Sequence, residues 1–199
     1  MKPEIISHRI NTIKQLRLTP SCFGVEIDLR SRGSRIILQH DPFCKGESLE
    51  RWLKYYQHGT IILNVKEEGL EKEVLRILSE HHVRDYFFLD VSFPFLIALS
   101  KQGKKKLAVR FSEYESLDTV LRMKGLAEYV WVDCFSRLPL NRKNYNEIKK
   151  AGFKICIVSP ELQKHPISQI SVYAAFLKEQ KIVVDAVCTK HPDLWETIT

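Results

Sequence analysis

The chain has no apolar run near the roughly 20 residues that a membrane span needs. Its longest such stretch, residues 86–99, is broken by Asp90, Ser92 and Pro94, so no membrane span is expected. The start, Met1-Lys2-Pro3-Glu4-Ile5-Ile6, enters strand-like sequence without the charged-then-apolar layout of a signal peptide, and a soluble, cytoplasmic protein is expected. Cysteine offers no framework. Cys22, Cys44, Cys134, Cys156 and Cys188 are scattered and form no C-x-x-C pair, which argues against both a disulfide scaffold and a cysteine zinc site. The last three lie in apolar strand-like runs, where a free thiol behaves as a small hydrophobe. Zinc-finger spacing and RNP-like aromatic motifs are missing as well. The formal charge of +7 therefore reads as a solvated basic surface, and no nucleic-acid partner is expected. No glycine-rich turn follows an early strand, which argues against an open doubly wound sheet.

What is present is an alternation. The 199 residues, 44% apolar, suffice for one domain spanning 1–199 with a sizeable core. Strand-like runs fall at 4–9, 24–30, 60–66, 86–91, 107–111, 129–134, 153–158 and 182–189. Helical patterns fall between them, at 11–18, 48–58, 70–81, 95–101, 117–124, 145–150 and 167–179. Ser31-Arg32-Gly33-Ser34 is turn sequence, and 35–39 reads as a return strand, so a small β-hairpin extends the second strand. Gly59, Gly103, Gly125 and Gly152 recur between a helix and the next strand, where a left-handed C-cap belongs. Runs such as Ile61-Ile62-Leu63 and Ile155-Cys156-Ile157-Val158 are apolar throughout, as parallel strands covered on both faces should be. Eight strand–helix steps in one domain predict an α/β fold, a lean (β/α)8 TIM barrel with parallel strands and short loops.

In such a barrel the chemistry lies where strands end. Gly24-Val25-Glu26-Ile27-Asp28-Leu29-Arg30 sends Glu26 and Asp28 to one face and three apolar residues to the other. Two carboxylates that close repel unless a cation or a basic side chain lies between them. Asn64 and Lys66 repeat the spacing on the next parallel strand. His8 and Arg9 follow the first strand, His40-Asp41 ends the return strand, and Asp90, Arg110 and Asp133 end the fourth, fifth and sixth.

Several of these segments resemble those of one family, in its order. Ile6-Ser7-His8-Arg9 with Asn11-Thr12 is similar to the HR…NT opening of glycerophosphodiester phosphodiesterases. Gly24-Val25-Glu26-Ile27-Asp28 resembles their G-x-E-x-D strand, and Leu38-Gln39-His40-Asp41-Pro42 their H-D segment. Asn64-Val65-Lys66 stands where the family has E-x-K, and residues 184–194 resemble its closing strand and loop. The resemblance implies a barrel enzyme that cleaves a small-molecule phosphodiester with one divalent cation, Mg2+ or Ca2+. By that reading Glu26, Asp28 and Asn64 hold the metal, and His8 and His40 are the acid–base pair, their order left open. Arg9 and Lys66 would contact phosphate. Asn11 and Asp90 are further candidate site residues, Asp90 as a substitute for the third metal ligand. The chain departs from the family at Asn64, where a carboxylate is usual, and in its contiguous His8-Arg9-Ile10-Asn11, a compact form closer to the related phospholipase D toxins of spiders. The insertion after His40-Asp41 is also short. The alternative is a catalytically degenerate barrel that binds a phosphorylated ligand or a protein partner.

Overall fold

The computed structural model describes residues 2–198. β1 (Glu4–Ser7) leads to α1 (Ile13–Leu18), opened by a capping box between Thr12 and Gln15. β2 (Gly24–Arg32) turns at Gly33, whose φ of 62° favours glycine, into β3 (Arg35–Leu38). β3 pairs antiparallel with β2 and with the two-residue β4 (Glu47–Ser48). α2 (Leu49–Leu53), β5 (Ile61–Val65), α3 (Glu71–Glu80), β6 (Tyr86–Leu89) and α4 (Phe93–Lys101) follow. Next come β7 (Ala108–Phe111), α5 (Leu117–Arg122), β8 (Tyr129–Val132), α6 (Arg142–Lys150) and β9 (Lys154–Val158). A 3-10 turn (Pro160–Gln163), α7 (Gln169–Glu179), β10 (Ala186–Thr189) and α8 (Pro192–Ile198) complete the chain.

The parallel ladder runs β7-β8-β9-β10-β1-β2-β5-β6, a curled sheet of eight strands of the TIM-barrel kind. The sheet as a whole is mixed, because β3 and the short β4 run antiparallel on the extension of β2. It departs from the expected closed barrel between β6 and β7, where it is open and the strands meet through one bridge, Phe88 to Leu107. The Leu107 amide donates back to the Lys105 carbonyl at 2.7 Å in a tight turn just before this bridge.

The ends of helices differ from expectation where tertiary contacts intervene. The expected helix over 48–58 stops at Leu53, because Tyr55 and Tyr56 bond to Trp52 and Leu53 in i to i+3 fashion and the chain tightens into a turn. α8 was not expected; it places Trp195 in the core, its indole N–H on the Ser159 hydroxyl at 2.7 Å. Gly103, Gly125 and Gly152 have positive φ, whereas Gly59 does not. Gly59 is needed for space instead, since a Cβ there would lie 2.6 Å from a Glu4 carboxylate oxygen.

Gly24 opens the strand that carries the acids, and a Cβ there would meet the Thr60 carbonyl oxygen at 2.7 Å. That carbonyl accepts from the Val25 amide and cannot retreat without loosening the β2–β5 ladder. Gly24→Ala is therefore expected to cost about 1–3 kcal/mol of stability. Urea denaturation measures it, and an unchanged midpoint would show that the strands separate freely.

Candidate active site

The C-terminal ends of the parallel strands share one end of the barrel, the mouth, and the side chains singled out from the sequence gather there. Glu26 and Asp28 are fully buried on one face of β2. Register sets Asp28 opposite Asn64 of β5. The Asn64 amide donates to Glu26 Oε1 at 2.8 Å. The loop after β1 folds over the same carboxylates. Arg9 takes a φ of 57°, uncommon for a side-chain-bearing residue, and its backbone N–H reaches Glu26 Oε2 at 2.7 Å. Asn11 clamps Asp28 at two points: its Nδ2 donates to Oδ2, and its Oδ1 accepts from the Asp28 backbone N–H, both at 2.8 Å.

Cations surround the pair. Arg9 Nε lies 3.8 Å from Asp28 Oδ2, and Lys66 Nζ 3.6 Å from Oδ1. Burial first, and then the adjacent Asp28, push the Glu26 carboxyl up to about 7, against the lowering bonds from Asn64 and the Arg9 amide. His8 Nε2 is 3.8 Å from Glu26 Oε2. Burial, followed by Arg9, Lys190, Lys66 and His40, pushes the His8 imidazole down to about 3, so the ring is neutral at ordinary pH. His40 lines a hollow of about 500 Å3 together with Arg9 and Asn11. Its Nδ1 is 2.8 Å from the Asp41 carboxylate, and its carbonyl accepts from Arg30 Nε at 3.0 Å.

Lys66 does not sit between Glu26 and Asp28. It bridges Asp28 and Asp90, whose Oδ2 is 3.4 Å away. Asp90 Oδ1 accepts from Arg110 Nε at 2.7 Å, and Arg110 Nη1 donates to Asp133 Oδ2 at 2.6 Å. Asp133 Oδ1 also takes the Gln163 amide and the Cys134 backbone N–H. A row of alternating charge, Asp28–Lys66–Asp90–Arg110–Asp133, thus crosses five neighbouring strands. Both Asp90 oxygens are taken by cations, so Asp90 serves as the counter-ion of Lys66 and is not a substitute ligand beside Glu26. The parts of Arg110 and Asp133 in this row were missed from sequence. Their shared strand-end position was the only available signal, and it does not say which side chains pair.

Among the described residues, two buried oxygens at the site accept no hydrogen bond: Asn64 Oδ1, and Asp28 Oδ1, which has Lys66 Nζ at ion-pair distance. They belong to residues in register on adjoining strands. Among the described residues no three His, Cys, Asp or Glu side chains form a metal-holding cluster; the carboxylates at this site are two, and the third position is an amide. A second hollow, of about 240 Å3 beside Lys104, Lys105 and Gly103, lies near the start of β7 and contains none of these groups.

Fold and site together define an α/β barrel of the TIM type with a buried acidic pair at its mouth. Solved glycerophosphodiester phosphodiesterases share that fold. One from Agrobacterium tumefaciens matches with a TM-score of 0.71 at 14% identity, over 98% of this chain and 99% of its own. One from Parabacteroides distasonis matches with a TM-score of 0.70 at 14% identity, over 99% of this chain and 86% of its own. A further Agrobacterium tumefaciens structure, assigned to the same enzyme, gives 0.72 at 15% identity, over 100% and 97%. No protein-family model and no curated protein matches the sequence. At this identity the likeness is one of fold.

Proposed function

We propose that this chain is a phosphodiester hydrolase of glycerophosphodiester phosphodiesterase type, acting on a glycerophosphodiester or a related small phosphodiester with one divalent cation, Mg2+ or Ca2+. The observation that carries the reading is a pair of buried oxygens that accept no hydrogen bond from the described residues, Asp28 Oδ1 and Asn64 Oδ1, on residues in register on adjoining strands, with the Asn64 amide on Glu26. A buried carboxylate oxygen without a donor is costly, and an all-oxygen set suits a hard cation. Glu26, Asp28 and Asn64 would hold it. When bound, such a cation supplies Lewis-acid stabilisation of a non-bridging phosphate oxygen.

The remaining roles belong to the chain's own groups. Arg9, with its guanidinium half-exposed at the rim, and Lys66, steadied by Asp90, neutralise the phosphate. His8, neutral in its buried setting, accepts the proton of the attacking hydroxyl, whether from water or from the substrate itself. His40, oriented through Nδ1 by Asp41, delivers a proton to the leaving alkoxide oxygen. Asn11 acts on Asp28 from two sides and fixes its orientation.

A specific observation also favours the second reading, a barrel that binds a phosphorylated ligand without turnover. Glu26 Oε1, Glu26 Oε2 and Asp28 Oδ2 already have protein donors, and Arg9 and Lys66 supply two positive charges. Hydrolysis of bis(p-nitrophenyl) phosphate separates the two. Turnover that requires Mg2+, Ca2+ or Mn2+ and stops with EDTA is expected. Absence of turnover with all three, across glycerophosphodiesters and lysophospholipids, together with binding of inorganic phosphate, would establish the binding barrel instead.

A further inference from the structure

Four exposed aromatics of the described residues lie at one end. Phe43, Phe93, Tyr114 and Phe135 expose 106%, 51%, 78% and 43% of their surface. They come from four segments, the β3–β4 connection, the start of α4, the β7–α5 loop and the β8–α6 loop, and all four border the mouth. The Tyr114 and Phe135 rings lie 5.9 Å apart and form one ridge across two loops, which Ser136 and Glu113 tie together at 2.7 Å. Between Phe93 and Tyr114 opens a hollow of about 640 Å3, walled by Val91 and Leu96, with Asp90 and Arg110 on its polar side. Tyr55, also exposed, lies away from the rim, on the 54–60 segment that leads to the start of β5.

Beside this rim stands a basic patch. Arg32 and Arg35, paired in register near the tip of the β2–β3 hairpin, share a hollow of about 740 Å3 with Arg51, Ser34 and Ser48, and Glu47 is the one acid on its wall. Among the described residues none of these three arginines makes an ion pair. Arginine is the side chain best matched to phosphate oxygens, and aromatic rings favour the boundary between lipid headgroups and acyl chains.

We propose that this end of the barrel docks on a phospholipid bilayer, with the rim aromatics in the interfacial layer and Arg32, Arg35 and Arg51 on lipid phosphates. Charge and shape both select this occupant. The arginines are complementary to a phosphate-bearing surface. A protein seated on the rim would cover the mouth, whereas a bilayer presents phosphodiesters to it. The docking deepens the phosphodiesterase reading, on which it rests for the identity of the substrate, by placing that substrate in a membrane. The hollow between Phe93 and Tyr114 is then the place for apolar parts of a lipid raised toward Lys66 and Arg9.

Co-sedimentation of the whole chain with phosphatidylcholine–phosphatidylglycerol vesicles tests this without any turnover. The wild-type chain is expected to sediment. A Phe43→Ser, Phe135→Ser variant, which leaves the walls of the hollow intact, is expected to partition at least about tenfold more weakly, with soluble bis(p-nitrophenyl) phosphate turnover and thermal midpoint retained. Arg32→Ser with Arg35→Ser should weaken binding mainly to vesicles containing phosphatidylglycerol, as added salt does. Tyr55→Ser should change nothing. Wild-type chain left in the supernatant, a rim variant that sediments like wild type, or a rim-dependent dimer in sedimentation velocity would each overturn the proposal. Rim-dependent vesicle binding without phosphodiesterase turnover would sink the catalytic reading and leave the docking standing; turnover without vesicle binding would do the reverse.

Discussion

Asp28→Asn is expected to lower cation-dependent phosphodiesterase turnover by roughly a thousandfold, since charge stabilisation worth several kcal/mol is lost and each factor of ten is about 1.4 kcal/mol. The substitution keeps the size of the side chain and removes one of two buried charges. Asp28 Oδ1 accepts no hydrogen bond from the described residues and has only the Lys66 ammonium, 3.6 Å away, as an ion-pair partner. Glu26 would gain, because the neighbouring carboxylate that raises it is gone. Folding stability in the absence of cation is therefore expected to change little, while the thermal stabilisation that Mg2+ or Ca2+ gives the wild type should vanish. Turnover and thermal midpoint, each measured with and without cation, make the comparison. A large stability loss with no cation effect in either protein would show that Glu26 and Asp28 are only the anionic half of an ion-pair cluster with Arg9 and Lys66.

Arg110→Ala is expected to cost about 1–3 kcal/mol of folding free energy, as loss of the donors to a buried carboxylate in a partly buried charged row does. Asp133 is 2% exposed and would lose the guanidinium that meets Oδ2 at 2.6 Å. Asp90 would lose both donors on Oδ1 and keep Lys66 alone. Lys66 would then be drawn toward Asp90 and away from Asp28, so turnover should fall even in molecules that remain folded. Chemical denaturation measures the first effect, and turnover per folded molecule the second. Adding Asp133→Asn to Arg110→Ala should recover part of the stability, because the stranded charge disappears. Arg110→Lys should fall between wild type and alanine, since a point charge cannot serve both carboxylates with the geometry of a fork. A loss below about 1 kcal/mol would place the row with exposed surface pairs, which contribute little.

The strands and helices were legible because they follow from periodicity. Continuous apolar runs mark strands covered on both faces, and Glu26 and Asp28 two residues apart mark a polar face on one of them. The reach of α2 was not legible. Leu49, Trp52, Leu53 and Tyr56 share a helical face, but the Tyr56 ring is turned onto Trp52 and His58 and the helix ends early. α8 was hidden because its one buried anchor, Trp195, reads as part of a polar tail until Ser159 appears beneath it. The open seam between β6 and β7 is marked by no spacing rule, since both stretches read as ordinary strands.

By itself the sequence determined the number and order of the strand–helix steps, and hence the end of the barrel at which His8, Glu26, Asp28, Asn64 and Lys66 emerge. These follow from local patterns: side-chain alternation fixes faces, and parallel strands must all end on one side. The tertiary structure alone decided which charges meet. It set Lys66 between Asp28 and Asp90, gave Arg110 to Asp90 and Asp133, and left Asp28 Oδ1 and Asn64 Oδ1 without a hydrogen bond from the described residues. Pairing depends on register and side-chain reach across strands far apart in sequence, and Coulomb energy acts on those distances, which no residue's neighbours in the chain specify.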